Sequence, residues 1–200
     1  SHCTSSALLD QTPPRAYLSR SNEKVLFPMA ILPIITAPDL RLKKKAAAVD
    51  TVDDGVRVLM DNMLETMYNA PGVGLAGPQV GVLKRVIVSD VARAGEDPAP
   101  MMMANPEIIA SSNELSIFEE GCLSLPEYFA EVKRPEQVTV RYLDYENETR
   151  EQEMDGFLAT CVQHEIDHLD GVLFVDHISS LKRGMILRKL SKLKKAEAKV

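Results

Sequence analysis

His164, Glu165, Ile166, Asp167 and His168 form an H-E-x-x-H pattern. On a helix, a spacing of four puts the two imidazoles one turn apart on the same face, with the glutamate beside them. Neutral imidazoles suit a divalent transition metal, and a carboxylate next to them suits proton transfer to and from a water the metal activates.

A catalytic metal needs a third protein ligand, and its position separates the enzyme classes that share this pattern. The extended metzincin pattern has a glycine three residues after the second histidine, met by Gly171, and a third histidine three further on, where this chain has Phe174. A thermolysin-like site takes a downstream glutamate, and the only Glu after Glu165 is Glu197, close to the C-terminus. Upstream, Glu119-Glu120-Gly121-Cys122-Leu123-Ser124 offers a thiolate in a glycine-flanked segment, which makes Cys122 the expected third ligand. Cys161 sits one turn before His164 and reads as core or pocket wall instead.

A Cys/His/His metal with an open fourth position activates water, and Glu165 can pass that water's proton to a leaving amine. The chemistry is amide hydrolysis. Its oxyanion needs donors, and the side-chain amide of Gln79 and the backbone N–H of Leu123 are of the right type. Nothing in the spacing brings Gln79 near the metal.

The elements that must position these groups are legible in part. Phe157 to Leu169 is predicted as a helix that ends at Asp170-Gly171, with Phe157, Cys161, His164 and His168 along one face. A second helix opens at Thr51, with Val52, Val56, Leu59, Met63 and Met67 on its buried side. Ile31 to Thr36 reads as a strand, and Asp39 as the cap of a short helix through Ala48. Residues 72–81 carry four glycines and read as a loop something presses against.

Strand patterns follow at 85–90, 101–105, 115–118, 130–132, 138–145 and 149–154, with a turn at Asn147, then at 172–175. Strands without helices between them imply antiparallel sheet. Ser179 or Ser180 caps a final helix, with Leu181, Met185, Leu190 and Leu193 along one side.

The 200 residues are 45% apolar and 26% charged, the make-up of an ordinary soluble domain, with no run long enough for a membrane span. Three scattered cysteines argue against a disulfide framework and for a reducing compartment. Net charge is -6, yet residues 181–200 hold eight Lys/Arg and one Glu, leaving -13 elsewhere. The acidic body speaks against general nucleic-acid binding, and the basic tail allows an RNA or acidic partner. Residues 1–28 have no sustained periodicity and are expected to form a poorly ordered extension, with one catalytic domain at 29–200.

Three motifs in this order, Gly72-Val73-Gly74-Leu75-Ala76-Gly77-Pro78-Gln79, Glu120-Gly121-Cys122-Leu123-Ser124 and His164-Glu165-Ile166-Asp167-His168, resemble those of the peptide deformylases. The resemblance runs from about Met29 to the C-terminus and includes Pro38-Asp39-Leu40-Arg41-Leu42. It implies an α+β fold in which antiparallel β-sheets surround a central metal-binding helix, with a C-terminal helix. The implied activity removes the formyl group from the N-terminal methionine of nascent bacterial or organellar proteins. It implies Cys122, His164 and His168 as ligands, Glu165 as acid/base, and Gln79 with the Leu123 amide at the oxyanion.

The implied metal is one divalent ion, natively Fe2+, with Zn2+, Ni2+ or Co2+ possible in isolated protein. The implied substrate is an N-formyl-Met nascent peptide, added as a strand along Gly72, Val73 and Gly74. Helical spacing then makes Phe157, Thr160 and Cys161 candidate walls for its methionine side chain. The basic C-terminal helix resembles that of members that dock on the ribosome. No membrane or specific DNA partner is expected, and the implied location is the bacterial cytoplasm or an organelle.

Two positions depart from the family pattern: Gly77 stands where alanine is commoner, and Phe129 where many members have an arginine that helps to hold the peptide. Altered peptide affinity or side-chain preference is the expected consequence. The competing reading is a catalytically inactive deformylase-like module that binds peptide or ribosome, which the presence of Glu165 and Gln79 disfavours. A metallopeptidase is the third.

Overall fold

The computed structural model describes residues 30–93 and 95–197. The expectation for residues 1–28 lies outside them.

Helix α1 (Asp54–Asn69) starts where the Asp53 carboxylate accepts the Val56 N–H at 2.8 Å, which satisfies one of the free donors of a helix start. It buries Val56, Met60, Met63 and Met67. Complete burial of such side chains contributes about 1.5–3 kcal/mol each. Met60 is fully buried and Leu59 packs partly buried against the same cluster, and Thr51 and Val52 precede the helix.

Seven strands follow in chain order: β1 (Gly74–Ala76), β2 (Val86–Ser89), β3 (Met101–Ser111), β4 (Leu115–Cys122), β5 (Leu125–Pro135), β6 (Gln137–Leu143) and β7 (Thr149–Asp155). Their pairings are antiparallel and make a five-stranded sheet, β1-β2-β3-β6-β7, and a hairpin, β4-β5. The period of two in β2 divides the core: Ile87 faces one cluster while Val86 and Val88 face the other. Helix α2 (Gly156–Leu169) covers the Ile87 face with Ala159, Val162, Ile166 and Leu169, and α1 covers the opposite face. Gly171, at φ +75°, supplies the left-handed residue after α2.

The hairpin also touches α2, and its Leu125, Ala130 and Val132 share a further cluster with Phe174, Val175, Ile186 and Leu190. The α+β architecture with antiparallel sheets around the H-E-x-x-H helix is therefore as expected. Helix α3 (Ser180–Glu197) closes the chain. Leu190 is buried as expected, but Leu181, Met185 and Leu193 are exposed, and Ile186 takes the buried place expected of Met185. No helix among the described residues is long and apolar enough to cross a membrane.

Three local expectations are corrected. Residues 31–36 join no sheet; Ile35 N–H instead donates to the Gln79 carbonyl at 2.8 Å and Ala37 N–H to the Ser124 carbonyl at 2.9 Å, lacing two loops together. The helix after Asp39 is a single 3-10 turn, Leu40–Lys43. Residues 172–175 form no strand, because Asp176 turns back to accept the Leu173 N–H at 2.8 Å and winds Phe174–His177 into a 3-10 turn.

Candidate metal centre

α2 presents His164 and His168 on one side, with ring centroids 5.0 Å apart. Cys122 ends β4 at a register shift between Gly121 and Cys122, an irregularity that re-aims a side chain. Cys122 Sγ lies 3.2 Å from His168 Nε2, and one donor atom from each of Cys122, His164 and His168 falls within 4.8 Å of the others. A thiolate and two imidazoles at that separation converge on one point, and this donor set suits a divalent transition metal. The residues present fit such an ion.

Neighbouring groups orient the rings. Glu120 Oε2 lies 2.8 Å from His164 Nδ1, which engages that nitrogen and leaves Nε2 free for a metal. Glu120 is gripped by Arg134 at 2.6 and 3.0 Å, and Arg134 also donates to Asp167 at 2.8 Å. Burial acts to raise the Glu120 carboxyl, but hydrogen bonds from His164 and Arg134 outweigh it and hold the group below its ordinary value. Burial pushes the His168 imidazole well below its ordinary value, and His164 beside it adds to that. His168 is thus held neutral, as a ligand must be.

Glu165 is 4% exposed, and its Oε2 has no hydrogen-bond partner. Burial lifts its carboxyl to about 7, which suits a group that both takes and gives a proton near neutral pH. Gln79 is 1% exposed. Its Oε1 accepts the Ala76 N–H at 2.8 Å, which turns Nε2 toward Ser124 Oγ at 3.2 Å and Cys122 Sγ at 3.5 Å. Gln79 and Leu123 therefore flank Cys122, one across the fold and one along the chain.

β1 is an edge strand. Asp90 N–H donates to the Val73 carbonyl and Ala76 N–H to Gln79. The alternation of an antiparallel ladder then turns Gly74's N–H and C=O away from β2, toward the open edge. Gly72 packs under Leu123: a Cβ there would lie 2.8 Å from Leu123 Cδ1. Cys161 is buried and donates to the Val73 carbonyl at 3.4 Å. Burial, with Glu165 and Glu120 adding to it, pushes its thiol well above the ordinary value, so it stays protonated. Thr160 is buried and bonds its own helix at the Gly156 carbonyl, while Phe157 is half exposed and packs on Phe118 at 6.0 Å between centroids.

Sequence reasoning missed Glu120 and Arg134 as the groups that orient His164, and β1 as a strand. Glu120 was visible as a charge two residues from Cys122, but its pairing with Arg134 needs the hairpin register. The two departures also find a place. Gly77 is packed against backbone, since a Cβ would lie 2.7 Å from the Lys84 carbonyl and 2.8 Å from that of Val82. Phe129 is exposed on the outer face of β5, with its ring over Gly121.

An α+β fold that sets a Cys/His/His cluster beside a buried glutamate and an edge strand defines a metal-dependent amidohydrolase. The family model for polypeptide deformylase matches residues 31–184. The chain is 58% identical over 173 residues to a peptide deformylase of Methylocella silvestris, covering 85% of this chain and 88% of that one. The peptide deformylase of Ehrlichia chaffeensis superposes with a TM-score of 0.80 at 39% identity, over 84% of this chain and 99% of that one. A class I type b peptide deformylase from Acinetobacter baumannii with Met-Ala-Ser bound superposes at 0.70 with 39% identity, over 75% and 99% of the two chains. The chain belongs to the peptide deformylase family, and its activity is the deformylation of peptides.

Proposed function

We propose that this deformylase acts on the formyl-methionine end of nascent proteins, with Cys122, His164 and His168 as metal ligands and Glu165 as the acid/base. The observation that carries this reading is the convergence of the three donor atoms within 4.8 Å beside a buried carboxylate with an unpartnered oxygen. When bound, the ion supplies a Lewis acid and lowers the pKa of a water. Fe2+ is the proposed native metal, and the same ligand set accommodates Zn2+, Ni2+ or Co2+.

The peptide extends the sheet at β1, with Gly74 offering its outward N–H and C=O and Gly72 and Val73 flanking it. A wall of Phe157, Thr160 and Cys161 receives the methionine side chain. Gln79 Nε2 and the Leu123 N–H donate to the formyl oxygen as it gains charge. Glu165 takes a proton from the attacking water and delivers it to the departing amine, which frees formate and the peptide's amino terminus. The Met-Ala-Ser peptide bound to the Acinetobacter baumannii relative has the form of such a product and supports this reading.

Residues 29–200 are proposed to act as one catalytic unit in the bacterial cytoplasm. α3 is proposed to dock on the ribosome through Lys182, Arg188, Lys189, Lys192, Lys194 and Lys195, which its exposed side carries while Ile186 and Leu190 hold it to the body. Binding to RNA phosphates would weaken steeply with salt.

The test is metal quantification with deformylation of a formyl-Met tripeptide by parent and Cys122→Ala protein. One ion per parent chain, with loss of both metal and turnover in the variant, supports the reading. Full metal retention by Cys122→Ala contradicts the ligand assignment.

A further inference from the structure

Phe174 and His177 lie on one 3-10 turn, and both bear on His164. Phe174 is buried, and its ring stacks on the His164 imidazole, with centroids 6.2 Å apart and planes at 21°. His177 reaches the same imidazole through a chain of charged groups. Its Nε2 lies 2.7 Å from Asp167 Oδ2, which also accepts from Arg134 at 2.8 Å. Arg134 holds both oxygens of Glu120, and Glu120 Oε2 lies 2.8 Å from His164 Nδ1. Glu120 and Arg134 are buried, whereas the His177 side chain is 34% exposed. The chain therefore runs from the surface to an expected metal ligand.

The turn does not depend on His177 for its own shape. Asp176 accepts the Leu173 N–H and the Arg183 Nε–H at 2.7 Å and pairs with Lys43. Asp167, by contrast, receives two donors on one oxygen, from His177 and Arg134. Without His177 that carboxylate, 24% exposed, is held by Arg134 alone and water competes for it. The link that fixes the third corner of Arg134's planar fork is thereby loosened, which lets the guanidinium pivot on Glu120.

We infer that His177 is a positioning residue of the metal centre: through Asp167, Arg134 and Glu120 it holds the His164 ring in the orientation that retains the ion. The inference rests on the assignment of Cys122, His164 and His168 as ligands. It touches neither the β1 edge nor Glu165, so its signature is metal retention rather than peptide binding.

The experiment measures zinc release to a chromogenic chelator from zinc-loaded parent, His177→Leu and His177→Gln proteins. Glutamine keeps an N–H donor at about the reach of Nε2; leucine removes it. Loss of a group that directly orients a ligand costs about 10–100-fold in metal affinity. One placed further out is expected to release zinc about threefold to tenfold faster when replaced by leucine, with His177→Gln within about twofold of the parent. Asp167→Asn, which keeps shape and weakens the same link, should also accelerate release.

Release from His177→Leu and Asp167→Asn at the parent rate overturns the inference. Equal acceleration in His177→Leu and His177→Gln also overturns it, because packing and not the donated hydrogen bond would then be at work. Cys122→Ala is measured alongside. If it too holds zinc as the parent does, the ligand assignment has failed; if it loses zinc while the His177 variants do not, only the role of His177 has.

Discussion

Gly74 and Glu165 are in contact: a Cβ on Gly74 would collide with Glu165 Oε1 and lie 2.9 Å from its Cδ and 3.0 Å from Cys161 Sγ. The edge strand passes so close to the buried carboxylate that only glycine fits. Gly74→Ala should push Glu165 off its position, and a misplacement of about 1 Å can cost about 100-fold in rate. Steady-state kinetics with metal quantification would check this, with kcat reduced and metal content unchanged.

Glu165 also links the site to stability. Its carboxyl, raised to about 7 in the folded chain from 4.5, favours the protonated form in the native state. The stabilising effect of that protonation is full below about pH 4.5 and is lost as pH rises through about 7. Metal-free Glu165→Gln should therefore be more stable than metal-free parent at pH 8, by roughly 3 kcal/mol at most, with the gap narrowing toward pH 5. Urea unfolding of both proteins at the two pH values checks the sign.

Arg134 is a buried cation held between Glu120 and Asp167. Arg134→Met leaves Glu120 buried with His164 as its remaining partner, and breaking a buried ion pair in this way typically costs about 3–5 kcal/mol. The unfolding midpoint should fall accordingly, and the loss should exceed that of the exposed pair Arg141–Glu151, where Arg141→Met is expected to cost under about 1 kcal/mol.

Gly77→Ala would bring a methyl group against the carbonyls of Val82 and Lys84. The backbone after the Gln79 turn must shift, at a cost of about 1–3 kcal/mol. Because this crowding meets the Val82 and Lys84 carbonyls and neither Gly74 nor Glu165, a lower unfolding midpoint with unchanged KM for a formyl-Met peptide is the expected result.

What could be read from the sequence was what local spacing encodes. His164 and His168 four residues apart share a helix face wherever that helix lies, and Phe174 at the metzincin position with no downstream glutamate before Glu197 points upstream to Cys122. The pairings that orient them are not local. Glu120 meets His164 across 44 residues and Arg134 across 14, and neither contact exists before the hairpin and α2 pack. β1 is hidden because a three-residue strand inside a glycine-rich segment carries no alternation. The apolar run at 172–175 looked like a strand, yet Asp176 caps it into a turn. On α3 the lysines interrupt the apolar pattern, which points to Met185 where the fold buries Ile186.

The most direct test of the account compares anaerobic deformylation of a formyl-Met tripeptide by the parent and by Glu165→Ala at equal, quantified metal content. Turnover by the parent and its loss in a variant that still holds its metal is the predicted result. Turnover by Glu165→Ala near the parent rate, or loss of metal from it, would contradict the role given to Glu165.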